Sequence, residues 1–552
     1  MADGPWAQHL PAGAVFDPAD LVAGGSLPRV WAERWAAHPA EPALCFGGDW
    51  WTAGDLDRAT AAAARRLAAL GLRAGDRMVW STTTSAGAVV ACLAALRLGA
   101  VVVPANAAYT RRELAHIVAD VRPAVAVVDR PEQADWVAAA GTAEPVATVF
   151  PSDLAGPPDL AGPGPDGADV AVADLDGPGR SPATGGGGAA PVLDRPGLDR
   201  SDPDDPALIV FTSGTTGAPK GAVLSHANLL AGVRSVALAW RWTAADRLVL
   251  GLPLFHVHGL CIGLFGTLAV GGSAVVLDRF SADGVLDAAA GQGGTLFFGV
   301  PTMYHRLADG GRVKELAGLR LCVSGSAPLP ASLWGRIHAD AGVAVVERYG
   351  MTETLLTVSN PYDGDRRPGT VGLPLPGVDV RVDADGALWV RGPSVFDGYW
   401  ERPDATAGAF DGGWFRTGDV VEVDADGYLA VRGRQSDLII SGGYNVYPAE
   451  VEDVLLAHPA VAEVAVAGVP SEEWGESVEA WVVPADHSAP GTLPDVPMAP
   501  LPEALMAPLP EALMAYAADH LAPYKRPRRV HLVAALPRNA MGKVQRGALG
   551  RG

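Results

Sequence analysis

The chain has 552 residues. At about 150 residues per unit this length predicts three to four units, some of them fused. Hydrophobic residues make up 49% and charged residues 19%, which excludes a chain disordered throughout and allows large buried cores. Acidic residues outnumber basic ones 62 to 42, a formal charge of −20. A basic nucleic-acid-binding stripe is therefore excluded as the dominant feature, while a locally positive site for a small anion is not.

Cys45, Cys92, Cys261 and Cys322 lie far apart and form no C-x-x-C pair, so buried thiols in a reducing compartment are expected rather than a disulfide frame or a zinc site. The start, Met1-Ala2-Asp3-Gly4, lacks the basic region and apolar run of a signal peptide. The most apolar stretch, 87–107, is broken by Arg97 and Pro104 and reads as a buried helix followed by a strand, not a membrane span. The expectation is a soluble, cytoplasmic protein with no membrane or nucleic-acid partner. Of the 42 basic residues only Lys220, Lys314, Lys525 and Lys543 are lysines. Where arginine is the default cation, a compact ammonium on a flexible stem suggests a specific task, with chance as the competing reading for each.

In chain order, residues 28–145 alternate helical patterns with short apolar runs. Arg58 to Leu70 (RATAAAARRLAAL) predicts an amphipathic helix, and Gly99 to Pro104 and Ala124 to Val128 predict buried strands. Such alternation argues for α/β layers with parallel strands. Residues 151–206 are rich in Pro, Gly and Asp and read as a solvated, disordered insertion. The alternation resumes from Ala207, and a shorter unit with strands at Val461–Val466 and Glu479–Val483 follows. This predicts an α/β N-terminal domain over 1–434, built of several subdomains with mixed sheets and helices, and a small α+β C-terminal domain over 435–552. Residues 498–513 repeat MAPLPEAL twice and read as a tolerated insertion.

The strongest local signal is Phe211 to Gly221 (FTSGTTGAPKG). A predicted strand enters a loop of hydroxyls and glycines that ends in Lys220. Backbone N–H groups and hydroxyls suit phosphate oxygens, and the lysine suits their charge. The spacing is not that of a Walker loop, because Ala218-Pro219 separates the last glycine from the lysine.

This segment resembles the phosphate loop of the adenylate-forming enzymes, the superfamily of acyl-CoA synthetases, luciferases and peptide-synthetase adenylation domains. Further segments are similar in the same order: Glu347 to Thr354 (ERYGMTET), Trp414 to Asp419 (WFRTGD), Gly433 to Glu450 (GRQSDLIISGGYNVYPAE) and Pro537 to Val544 (PRNAMGKV). The resemblance implies ATP, Mg²⁺ and coenzyme A as cofactor and substrates. It places Thr212, Ser213, Gly214, Thr215, Thr216 and Lys220 on the phosphates, with Thr215 and Glu353 at the metal and Thr354 at the α-phosphate. It places Gly325, Ser326, Ala327, Arg348, Tyr349, Gly350 and Met351 around adenine and AMP, and Asp419 with Arg434 on the ribose. Lys543 would stabilise the charge of adenylate formation from a mobile C-terminal domain, and in relatives it is acetylated as a switch, which implies a lysine acetyltransferase as partner. After domain rotation Gly442, Gly443 and Lys525 would face coenzyme A. Ser436 departs from the Lys or Asp usual at the hinge.

For the acid, Leu252 to Gly259 (LPLFHVHG) and Phe298 to Leu307 (FGVPTMYHRL) bear on the pocket. The run Thr295 to Val300 predicts a strand and Pro301 to Leu307 the following helix, so Arg306 lies one turn into a helix at the carboxyl edge of a sheet. A guanidinium there suits a second substrate carboxylate, while a solvent-facing or protein-paired arginine is the competing reading. With Glu347 to Gly377, these segments look most like malonyl-CoA synthetases. That resemblance implies malonate or methylmalonate as substrate, Arg306 on its distal carboxylate, Val257, His258, Ser326 and Met351 lining the acyl pocket, and His256 as a gate to the thiol tunnel. Polyketide extender supply and malonate use both fit. The alternatives are a medium-chain or aryl acid, a stand-alone adenylation enzyme with a carrier-protein acceptor, a non-catalytic nucleotide-binding relative, and a luciferase-like oxygenase.

Overall fold

The computed structural model describes residues 6–154 except 12, 15, 141, 143 and 144, then 197–212, 219–485 except 472, 509–538 and 544–549. Two large sheets carry the N-terminal part. The first runs, in spatial order, Gly398–Tyr399, Lys220–Ser225, Pro206–Thr212, Val101–Pro104, Arg77–Ser81, Val125–Val128 and Ala147–Val149. Its strands from Pro206–Thr212 onward are parallel, and the two at the other edge are antiparallel. Among the described residues the second sheet has nine strands, with Arg247–Leu250, Leu296–Gly299, Leu321–Ser324 and Val346–Tyr349 forming its parallel centre.

Both sheets share one core through helix Ala86–Arg97, in which every residue from Gly87 to Arg97 is buried. Its sequence, small and aliphatic all round, has no polar face to offer water, so it can only sit inside. The apolar stretch is thus a buried helix followed by strand Val101–Pro104, as expected. The charge that interrupts it is compensated: Arg97 Nη2 lies 2.7 Å from Asp199 Oδ2, and Nη1 lies 2.9 Å from Asp57 Oδ1. A buried guanidinium without such partners would cost several kcal/mol, on the order of 3–5.

This pairing corrects one expectation. The segment 151–206 is not disordered throughout, because Pro151–Leu154 is helical and Asp199 is fixed by the Arg97 guanidinium. Residues 155–196 lie outside the described residues. The predicted helix at 58–70 is observed as Ala53–Ala69, started earlier by a capping box in which Thr52 and Asp55 exchange hydrogen bonds. The predicted strand and helix at 295–307 are Leu296–Gly299 and Pro301–Asp309.

A third sheet is built from Asp379–Val382, Ala387–Arg391, Phe410–Asp411, Trp414–Val423 and Leu429–Arg434. A fourth joins Tyr444–Val446, Ile439–Ser441, Gly475–Pro484, Val461–Ser471 and Arg529–Leu532. Helices Pro448–Leu456 and Leu509–His520 contribute Val451, Leu455, Leu513 and Ala517 to its separate core. The second octapeptide ends inside helix Leu509–His520, while 498–508 lie outside the described residues. The architecture is therefore a large α/β part of mixed sheets and helices with a smaller α+β unit. All four cysteines are free and buried. Among the described residues, no helix is long and apolar enough to cross a membrane.

Candidate active site

The site forms where strand Val346–Tyr349 ends. The chain turns back at Gly350, where a Cβ would lie 1.9 Å from the Leu355 carbonyl oxygen, so only glycine fits. Leu355 holds a left-handed φ of 56° and is buried against Gly232 of helix His226–Ala239, whose missing side chain makes room for it. This packing pins an unfavourable backbone conformation and thereby fixes Met351, Glu353 and Thr354 at the strand's carboxyl end. Thr354 is buried and accepts a 2.9 Å hydrogen bond from the Thr357 hydroxyl.

Three residues from distant segments meet beside this turn. Asp419 and Arg434 are paired across adjacent strands, and Arg434 Nε stands 2.7 Å from Asp419 Oδ1. The Tyr349 hydroxyl donates to Asp419 Oδ2. Burial pushes the Tyr349 phenol well above its usual range, and the Asp419 charge adds to this, so the hydroxyl stays a donor.

Glu353 is buried, and burial raises its carboxyl pKa. Its Oε1 accepts from the Tyr399 hydroxyl at 3.1 Å. The Lys220 ammonium lies 5.1 Å from the centre of the same Tyr399 ring. Thr212 bonds the Lys220 carbonyl at 3.4 Å. Ser213, Gly214, Thr215 and Thr216 fall outside the described residues. Tyr399 belongs to none of the sequence motifs. Its only signal is an aromatic pair after Gly398, and its place arises from an edge strand paired with Lys220–Ser225. Among the described residues no cluster of three or more metal-binding side chains exists. The buried Glu353 carboxylate fits Mg²⁺ nonetheless, since that ion takes one or two carboxylates together with nucleotide phosphates.

The segments expected to bear on the acid pocket are built around His258 and Ser326. His258 opens a π-helical stretch, His258–Phe265, and is buried with its ring stacked 6.5 Å from Phe298. Its Nδ1 is 3.4 Å from the Ser326 hydroxyl, and its Nε2 has no partner among the described residues. Burial, then the Arg348 charge, depress its pKa well below the usual value, so the ring is neutral. Ser326 holds a left-handed φ of 69°, beside Gly325. A Cβ at Gly325 would lie 2.3 Å from the Arg348 guanidinium carbon. Arg348 itself is buried, and its Nε and Nη2 have no hydrogen-bond partner among the described residues. Burial lowers its pKa to about 10, leaving it charged at neutral pH. Val257 is buried, while His256 and Met351 are half-buried and Ala327 is exposed. Arg306 is exposed on helix Pro301–Asp309 and makes no hydrogen bond or ion pair among the described residues. The structure thus joins Tyr349, Asp419 and Arg434 in one group, Glu353 and Lys220 through Tyr399 in a second, and His258, Ser326 and Arg348 in a third.

In the smaller unit, Gly442 and Gly443 form the exposed turn between Ile439–Ser441 and Tyr444–Val446. Lys525 is engaged with Glu450 at 2.5 Å. Ser436 bonds Asp437. Lys543 lies outside the described residues.

Comparison with known proteins extends this geometry. The family model described as AMP-binding enzyme matches residues 31–400, and that described as AMP-binding enzyme C-terminal domain matches 450–543. The chain is 40% identical over 375 residues to a malonate–CoA ligase of Arabidopsis thaliana, covering 63% of this chain and 60% of that protein. It is 34% identical over 542 residues to a feruloyl-CoA synthase of an Amycolatopsis species, covering 96% and 98%. The crystal structure of ATP-bound MatB from Rhodopseudomonas palustris aligns with a TM-score of 0.79 at 37% identity, covering 95% and 98% of the two chains. The chain spans about three fifths of the length of the plant ligases it matches.

Proposed function

The chain belongs to the AMP-binding enzyme family, and from that premise we propose that it ligates a short dicarboxylic acid, malonate and also methylmalonate, to coenzyme A through an acyl-adenylate, releasing AMP and pyrophosphate. The observation that carries the substrate class is the Arg348 guanidinium, buried with Nε and Nη2 unpartnered among the described residues beside His258 and Ser326. Leaving a buried charged group unsatisfied is costly, and a second substrate carboxylate removes that cost with charge-assisted hydrogen bonds. A purely apolar acid does not. Arg348, grouped with the nucleotide contacts by resemblance, is here assigned to the acid. Arg306 serves the same anion from the exposed helix Pro301–Asp309.

The reacting carboxylate attacks the α-phosphorus of ATP and pyrophosphate leaves. Asp419, with Arg434 and Tyr349, orients the ribose, Lys220 and the loop before it hold the outer phosphates, and Thr354 faces the α-phosphate. Glu353 would hold Mg²⁺, which supplies neutralisation of phosphate charge when bound. Lys543 stabilises the adenylation transition state from the C-terminal domain. Rotation of that domain about Ser436 brings the Gly442–Gly443 turn to the thiol path past His256. The thiol sulfur then attacks the acyl carbon and AMP departs. The relative named malonate–CoA ligase supports this substrate class, and the one named feruloyl-CoA synthase supports an aryl acid as the alternative.

The test is incubation of the protein with ATP, Mg²⁺ and coenzyme A against malonate, methylmalonate, acetate, octanoate, benzoate and ferulate, with thioesters identified by mass. Malonyl- or methylmalonyl-CoA as the dominant product supports the proposal. A dominant aryl or octanoyl thioester keeps the ligase and discards the dicarboxylate. Pyrophosphate release without any thioester points to a carrier-protein acceptor.

A further inference from the structure

Glu353 is gripped twice by one short segment that no motif pointed to. The Phe396 N–H donates to the Glu353 carbonyl at 2.8 Å, and the Tyr399 hydroxyl donates to its carboxylate at 3.1 Å. Tyr399 is itself fixed on three sides. Its N–H donates to the Thr406 hydroxyl at 2.9 Å, its ring meets Phe396 edge-on at 4.9 Å, and its strand pairs with Ala222, two residues beyond Lys220. The ring face then carries the Lys220 ammonium at 5.1 Å, a cation–π distance. One side chain therefore touches both the acidic and the basic element of the phosphate site. Those elements lie on different sheets, Glu353 following a strand of the nine-stranded sheet and Lys220 opening a strand of the seven-stranded one.

We propose that Tyr399 is a positioning residue that sets the spacing between the Glu353 carboxylate and the Lys220 ammonium, the hydroxyl orienting the carboxylate for a divalent cation and the ring seating the ammonium for the outer phosphates. This rests on the reading of Glu353 as the carboxylate that holds the metal. An outer partner that orients a ligating carboxylate typically changes metal affinity by about 10–100-fold when removed. The hydroxyl and the ring have separable roles. Tyr399→Phe removes the first and keeps the second, while Tyr399→Leu removes both.

The experiment is Mn²⁺ binding to the protein–ATP complex, followed by electron paramagnetic resonance, with ATP binding in EDTA measured in parallel by calorimetry. Tyr399→Phe is expected to weaken Mn²⁺ binding about tenfold or more while leaving ATP binding in EDTA at the wild-type value. Tyr399→Leu is expected to weaken ATP binding in EDTA as well. In a Glu353→Gln background the Tyr399→Phe change should add nothing, because it acts through that carboxylate. Wild-type Mn²⁺ affinity in Tyr399→Phe, or full additivity with Glu353→Gln, overturns the proposal. If Glu353→Gln itself leaves Mn²⁺ affinity unchanged, the reading of Glu353 fails, and this proposal falls with it for an identifiable reason.

Discussion

Asp419 and Arg434 stand directly opposite each other across an antiparallel strand pair, 2.7 Å apart at Oδ1 and Nε, while Tyr349 from another sheet bonds the second carboxylate oxygen. The carboxylate is thus oriented before any nucleotide arrives. A carboxylate held this way is suited to accept from two ribose hydroxyls. Asp419→Asn should raise the KM for ATP about tenfold to a hundredfold, the worth of a hydrogen bond to a charged group. It should also erase the preference for ATP over 2′,3′-dideoxy-ATP in pyrophosphate exchange. A variant that keeps that preference would show that the ribose is read elsewhere.

Much of this was legible in the sequence because it is local. The buried helix Ala86–Arg97 announces itself by having no polar face, and the turn after Tyr349 by a motif of consecutive residues. The remainder depends on contacts that spacing does not encode. Tyr399 is placed by an edge strand, Asp199 by a guanidinium on a distant helix, and Arg348 by the space Gly325 leaves. Alternation along a strand explains why Arg348 and its neighbour Glu347 do not pair: successive side chains leave on opposite faces.

Glu347 points away, accepts from the Leu329 N–H at 2.8 Å, and burial raises its carboxyl pKa to about 8. The sign follows from linkage. A carboxyl whose pKa is higher folded than unfolded contributes stability below the unfolded value of 4.5 and loses it as pH rises towards 8. Glu347→Gln should therefore gain stability relative to wild type between about pH 5 and 8, by at most about 1.4 kcal/mol per unit. His9 and His226, each lowered to about 4 by burial, titrate alike in both proteins and cancel in the difference. Denaturant melts across that range check this. A constant difference with pH would refute the buried titration.

Gly325 tests the proposed acid site without the replacement of a charged residue. A Cβ there would overlap the Arg348 guanidinium at 2.3 Å, so Gly325→Ala must displace that group. The KM for malonate should rise while the KM for ATP changes less. The change should add little to an Arg348→Met background, because both act on one guanidinium. Steady-state kinetics of the two single variants and the double variant measure this. Equal damage to both substrates would mean that the Gly325 loop serves the nucleotide instead.

Arg348 separates function from stability most sharply. In the free protein its Nε and Nη2 are buried and unpartnered among the described residues, so the guanidinium is a liability until an anion arrives. Arg348→Met replaces it with an apolar side chain of similar length. Exchanging buried charge for apolar packing is often neutral or stabilising by about 1–4 kcal/mol, so the melting temperature without ligand should hold or rise. The same change should raise the KM for malonate roughly 10–150-fold, since it removes charge-assisted hydrogen bonds. Malonate alone should raise the melting temperature of the wild type and leave that of the variant unmoved, because only a bound anion compensates the charge. Thermal scans with and without malonate, read beside the kinetics, decide the matter. A destabilised variant with an unchanged malonate KM would return Arg348 to a structural role and leave the acid to Arg306.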